Sequence, residues 1–306
     1  MKEAVFTIAA VERDTGLAKD TLRVWERRYG FPAPARDANG ERVYPLAQVE
    51  RLRLIKRLMD QGFRPGKLVT ADADALAALS AQADPAPLAT GNGVAPAADA
   101  ALLGIIEQVR MHDAAALRGA LNQTLHRQGL QHFVLESVPR LNAAVGEAWM
   151  RGEFEVFEEH LYTEQMQSLL RQSINALPAG RGEPRVVITT VPDEQHVLGL
   201  LMIEALLTLE GAACISLGTQ TPVADIAAAA RAHRAQIVAL TFSSAFPARQ
   251  IAPLLAQLRV LLPPGCEIWV GGAGCARLAP DEGVTVIAAL AGILQSLAGW
   301  RVSHGA

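Results

Sequence analysis

Hydrophobic and polar positions change rhythm three times along the chain. Over residues 7–61 apolar side chains recur at helical spacing in three short stretches. In 7–14 the inward positions are Ile8 and Val11; in 19–29 they are Leu22, Trp25 and Tyr29; in 45–61 they are Val49, Leu52, Ile55 and Met59. Thr15-Gly16 closes the first helix and Gly62 the third. Between the second and third, residues 35–44 surround Asn39-Gly40, a strong two-residue hairpin signal. The second rhythm is helical throughout, in four segments at 100–110, 114–128, 131–151 and 155–176, with breaks at Gly129 and at Gly152-Glu153. In the third, short β-branched runs (185–190, 212–217, 236–242, 266–270, 284–287) alternate with helical stretches (197–210, 223–233, 248–261 and a last one to about 302). Residues 79–97 follow no rhythm and are rich in Ala, Asp, Pro and Gly.

These patterns predict a multidomain α and α/β chain. It has a winged helix-turn-helix head (1–70), a flexible linker (71–98), a four-helix bundle (99–180) and a Rossmann-like, doubly wound parallel sheet (181–306). In open α/β sheets ligands bind beyond the carboxyl ends of the strands. The loop after the first strand of this sheet, Thr189 to Gly199, is therefore the place to look for chemistry.

Charge sharpens the reading of the head. The formal net charge of the chain is −3, yet residues 1–67 carry +5 and the remainder −8. A basic head on an acidic body points to an anionic polymer as partner. Three cysteines without paired or metal-ligand spacing (Cys214, Cys266, Cys275) fit a reduced, cytoplasmic protein. No apolar run reaches the length of a membrane span, so no membrane partner is expected.

In the second helix Arg23, Arg27 and Arg28 lie off the apolar stripe, and the hairpin brings Arg36 and Arg42 beside them. That is the helix-turn-helix pattern with a wing. Residues 21–30, Thr-Leu-Arg-Val-Trp-Glu-Arg-Arg-Tyr-Gly, and 40–44, Gly-Glu-Arg-Val-Tyr, resemble the MerR family of winged-helix transcription factors. The resemblance implies double-stranded operator DNA as partner, with Lys19, Thr21, Arg23, Trp25, Arg27 and Arg28 on the recognition helix. It also implies Arg36, Arg42 and Tyr44 on the phosphate backbone. The long dimerising coiled coil of many MerR proteins is missing: Gly62, Pro65 and Gly66 interrupt and no heptad follows. Oligomerisation, as a dimer or tetramer, is expected through the sensor domains instead.

At the central loop Glu194, His196 and Gly199 stand at the start of a helix. A carboxylate two residues before a histidine can hold one ring nitrogen and leave the other for a metal. This spacing resembles the Asp/Glu-x-His-x-x-Gly signature of cobalamin-binding domains. The resemblance implies His196 as the lower axial ligand of cobalt, with cobalamin's own benzimidazole displaced. In the bundle, Trp149 followed after nine residues by Glu159-His160 resembles the motif of light-responsive, cobalamin-dependent MerR repressors of carotenoid genes. That implies adenosylcobalamin as cofactor, Trp149 packed on its adenosyl group and Glu159 hydrogen-bonded to it, with Met150 and His160 beside them. Met150 stands where those relatives commonly have histidine. The same resemblance places Ser243 on the buried nucleotide tail and Gly271-Gly272 along its slot, although Ala245 replaces a usual leucine.

Taken together, the sequence reads as a cobalamin-dependent DNA-binding regulator that senses light, and as no enzyme. Two alternatives stand beside it. One is a cofactor-free MerR-type regulator whose cobalamin-like domain makes protein contacts; the other is a cobalamin-carrying enzyme component, which the DNA-binding head disfavours.

Overall fold

A computed structural model describes residues 5–37, 40–60, 63–72, 75–76, 79, 96–178, 182–279 and 281–305. The linker expected at 79–97, the turn residue Asn39 and the break at Gly62 fall largely or wholly outside the described residues. Two compact units are present: one holds the head together with Gly146–Val156, the other the remaining helices and the sheet.

In the head, helix α1 (Ile8–Thr15) starts at Thr7, whose hydroxyl accepts from the Ala10 amide, and stops at Gly16 in the left-handed conformation. Helix α2 (Lys19–Tyr29) ends the same way at Gly30. Strands β2 (Ala35–Arg36) and β3 (Arg42–Pro45) form the wing, antiparallel, with Arg36 opposite Arg42. A strand the pattern does not reveal, β1 (Val5–Thr7), pairs with the other edge of β3. Helix α3 (Leu46–Asp60) and the short α4 (Pro65–Val69) complete the unit. Its core joins Leu22 and Trp25 of α2, Tyr44 of β3, Val49, Leu52 and Ile55 of α3, and Leu68 and Leu76. Each of these leucines contributes roughly 2 kcal/mol by leaving water.

The second unit opens with α5 (Pro96–Arg110) and α6 (Ala114–Gln128), the latter capped by the Asp113 carboxylate. Next comes α7 (Leu130–His132), a π-turn (Phe133–Ser137) and α8 (Val138–Met150), where the spacing suggests one unbroken helix. Pro139 explains the π-turn. A proline has no amide hydrogen to donate and its ring crowds the carbonyl four residues back. Shifting to i→i+5 bonding, with the Val138 amide on the Phe133 carbonyl, absorbs both defects. Helix α9 (Val156–Ala176) follows, and its Arg171 pairs with Glu204 at 3.0 Å.

The sheet is parallel, in the order β5-β4-β6-β7-β8: β5 (Ala212–Gly218), β4 (Gly182–Thr189), β6 (Ile237–Thr241), β7 (Glu267–Gly271) and β8 (Val284–Ile287). Helices α10 (Leu198–Leu209), α11 (Val223–Ala232), α12 (Ala248–Leu261) and α13 (Gly292–His304) connect and cover it. Strand β4 passes first to β5 on one side, and the chain then returns to β6 on the other. The strand order thus reverses between β4 and β6, and their carboxyl ends border a crevice. All three cysteines are free, and burial pushes each thiol up to about 11. Among the described residues no helix is long and apolar enough to cross a membrane.

Candidate functional site

The loop after β4 is held from below by threonine hydroxyls. Thr189 and Thr190 are buried. Thr189 Oγ1 donates to the Gly218 carbonyl at 2.9 Å and lies 2.7 Å from Thr221 Oγ1. Thr190 Oγ1 donates to the Glu194 carbonyl at 2.6 Å and accepts from the Gln220 amide at 2.8 Å. These bonds tie the loop to the end of β5 and fix where Glu194 and His196 emerge. Asp193, at φ 68°, makes the turn from Val191 to Glu194 possible, where the Glu194 amide donates to the Val191 carbonyl, a conformation aspartate tolerates better than most residues.

Glu194 points inward and is 1% exposed; the His196 side chain points outward and is 63% exposed. The Glu194 Oε1 atom accepts from the His196 amide at 3.0 Å and lies 2.6 Å from His196 Nδ1. Its other oxygen, Oε2, accepts from the Ser243 amide at 2.7 Å and the Ser243 hydroxyl at 2.8 Å. Burial alone would raise this carboxyl, but bonds from the His196 ring, the His196 amide and the Ser243 amide outweigh it and lower it to about 2. An ionised carboxylate only accepts, so Nδ1 carries the ring proton and Nε2 presents its lone pair to the open side. The arrangement presents a single, oriented imidazole nitrogen at the switch point of the sheet. One such ligand suffices for a metal that is already held in the plane of a macrocycle.

Ser243 is therefore engaged with Glu194 in this structure, where sequence reasoning assigned it to a cofactor tail. A different residue at the end of β6 has an unspent polar atom. The Thr241 hydroxyl is buried and has no hydrogen-bond partner among the described residues, an arrangement that costs stability unless something else supplies a partner. Thr241 faces Gly199: a Cβ placed on that glycine would lie 3.5 Å from the threonine side chain. Gly271 sits against Ile287, and Gly272 has a reason of its own. At φ 95°, with a hypothetical Cβ 2.3 Å from the Phe242 carbonyl oxygen, it lets the turn after β7 press against the end of β6.

In the bundle, Glu159 accepts from the Thr163 hydroxyl at 2.7 Å, and His160 Nε2 lies 3.6 Å from Glu159 Oε2. Both side chains reach solvent. Trp149 is half-buried near the end of α8, and the Gly152 amide turns back onto its carbonyl. It belongs to the unit that contains the head, whereas Glu159 and His160 belong to the other. The side chain of Met150 lies outside the described residues.

On the head, Arg23, Arg27 and Arg28 are exposed along α2, with Arg23 paired to Asp20 at 3.0 Å and Arg28 over the Tyr29 ring. Lys19 pairs with Glu12 at 3.2 Å, and Thr21 is half-buried. Arg36 donates to the Gly40 carbonyl across the wing. Two expected contacts need correction. Trp25 is 5% exposed and Tyr44 0%, both in the head core, so neither side chain offers a surface to DNA. Tyr44 lies on the face of β3 that packs on α2 and α3, with Leu22, Trp25 and Leu52 in the same core. Arg42 is also partly spent: its Nε donates to Glu26 Oε2 at 2.8 Å, a bond that locks the wing to α2. Arg42→Ala is therefore expected to cost the head about 1 kcal/mol and to weaken binding to every duplex alike, seen by urea denaturation and by the salt dependence of affinity.

Comparison with known proteins agrees with this layout. Residues 6–70 match the MerR HTH family regulatory proteins, and residues 103–172 and 184–292 each match a B12 binding domain. The HTH-type transcriptional repressor CarH of Myxococcus xanthus is 28% identical over 286 residues, covering 91% of this chain and 95% of that protein. The repressor CarA of the same organism is 27% identical over 272 residues, 87% of this chain and 86% of that protein. A monomethylamine corrinoid protein of Methanosarcina barkeri, 15% identical, superposes with a TM-score of 0.49 over 63% of this chain and 94% of its own. With a MerR match on the head and B12-binding matches on bundle and sheet, the chain is a cobalamin-binding MerR-type transcriptional regulator similar to CarH.

Proposed function

We propose that this regulator uses adenosylcobalamin as a light sensor, with His196 Nε2 on cobalt, and binds operator DNA through the exposed arginines of α2. The observation that carries the reading is the buried, ionised Glu194 holding Nδ1 of an outward-facing histidine. A second observation supports the reading: the hydroxyl of Thr241, at the carboxyl end of β6 beside Gly199, is buried without a partner among the described residues and leaves a polar atom for the cofactor's tail. When bound, adenosylcobalamin supplies a cobalt–carbon bond that visible light can break.

The chain's own residues do the rest. Glu194 keeps the imidazole in one tautomer and one orientation, Ser243 fixes Glu194, and Thr241 donates to the tail. Glu159, in the same unit as His196, takes the upper face. Light alters DNA binding only if those upper contacts exist in one assembly of the protein and are lost in another. Oligomer and DNA binding are therefore proposed to change together, in a cytoplasmic protein.

Absorption spectra of the full chain with adenosylcobalamin, in the dark and after green light, test the proposal alongside gel filtration and DNA binding. Spectral conversion accompanied by a change in assembly is expected. A chain that binds cobalamin but behaves identically in dark and light would reject light sensing.

Thr241→Val gives a separate test of the tail contact. The swap preserves shape and removes a hydroxyl that has no partner among the described residues. Cobalamin affinity is expected to fall about 5- to 10-fold, the worth of one hydrogen bond, with unchanged or slightly higher stability toward urea. Undiminished affinity by equilibrium dialysis would show that the tail runs elsewhere.

A further inference from the structure

On α2 the residues facing solvent are Asp20, Arg23, Val24, Arg27 and Arg28, spaced as one helical face. Four of the five are charged. Val24 is the exception: it is 42% exposed, in the middle of the face, one residue after Arg23 and three before Arg27. Among the described residues of the head, nothing accounts for a valine there. The core side of α2 is supplied by Leu22 and Trp25. A β-branched side chain lowers helix propensity, and an exposed isopropyl group gains little from packing. Arginine, lysine or glutamine would serve the helix better and would suit a phosphate-facing surface.

The major groove holds one apolar feature among its polar edges, the C5-methyl group of thymine, and short aliphatic side chains are its usual readers. We infer that Val24 is a specificity-determining residue that packs against a thymine methyl group in the operator, while Arg23, Arg27 and Arg28 flank it with contacts to phosphate or to guanine. The inference rests on α2 being the recognition helix. It adds a base preference that the arginines cannot supply, because a guanidinium does not distinguish thymine from uracil.

The test has two stages. The full chain, with and without adenosylcobalamin and kept dark, is used to select duplexes from a random pool; then each thymine of a selected duplex is replaced singly by deoxyuridine. With the wild-type chain, one or two positions per half-site are expected to weaken about fourfold, the value of one buried methylene-sized group. With Val24→Ala, which lacks the two γ-methyl groups, that penalty should fall to about twofold or less at the same positions, while discrimination at guanines is kept. Alanine favours the helix, so the variant tests contact and not folding. Deoxyuridine penalties that are the same in both proteins, or absent in both, overturn the inference and leave the recognition helix in place. Failure to enrich any duplex would reject the DNA-binding reading itself, and the inference with it.

Discussion

His196→Ala is expected to weaken cobalamin binding by about 100-fold or more while leaving the fold in place. Removing even a partner that orients a metal ligand commonly costs 10- to 100-fold, and removing the ligand costs more. The fold should survive because His196 is exposed and the bonds that hold the loop do not pass through its imidazole: Thr190 still holds the Glu194 carbonyl and Ser243 still holds its carboxylate. What the variant loses in the apo protein is one hydrogen bond to Glu194, worth about 1 kcal/mol. Equilibrium dialysis with adenosylcobalamin and urea denaturation of the apo protein separate the two effects. Equal affinity in variant and wild type would place cobalt elsewhere, or leave it with its own base.

Gly272→Ala should do the opposite: it attacks the scaffold. Its φ of 95° is costly for any residue with a Cβ, and that atom would come within 2.3 Å of the Phe242 carbonyl oxygen. The carbonyl cannot simply move aside, because it accepts from the Gly274 amide at 3.0 Å while the Phe242 amide donates to Gly271. The turn after β7 would have to lift off β6. A loss of about 3–5 kcal/mol is expected, in the range of single substitutions that break a backbone constraint. Because Phe242 lies between Thr241 and Ser243, cobalamin affinity should fall with it. A variant as stable as wild type in urea would refute the packing argument.

The two substitutions also mark where the sequence was readable and where it was not. Periodic elements could be read directly: α2, α6, α12 and β8 end where the apolar spacing, glycines and turn residues place their limits. Short pairings between distant segments could not. The three-residue β1 leaves no periodic trace, yet it pairs with β3 from Val5 opposite Pro45 to Thr7 opposite Val43. The Pro139 π-turn was hidden because i→i+5 bonding leaves the side-chain pattern nearly helical.

At the site, the two-residue spacing of Glu194 and His196 was visible because it is local. The bond from Ser243 to Glu194 spans 49 residues and depends on β4 and β6 being neighbours, which strand order alone decides. The same adjacency made Thr241 invisible. In sequence it is the polar end of an apolar strand, and it comes to notice only as a buried, partnerless hydroxyl at the end of β6 facing Gly199. Glu26 was missed for a similar reason: as a helix-surface acid it carries no signal until Arg42 reaches it from the wing.

The central claim, an imidazole of this chain on cobalt, can be tested by electron paramagnetic resonance of the reduced cob(II)alamin-loaded protein carrying ¹⁵N-labelled histidine. Each cobalt hyperfine line is split by the axial nitrogen, into three by ¹⁴N and into two by ¹⁵N. Doublets in the labelled wild-type protein, lost in His196→Ala, are the expected result. Triplets in the labelled protein would mean that cobalamin keeps its own benzimidazole, and would contradict the account.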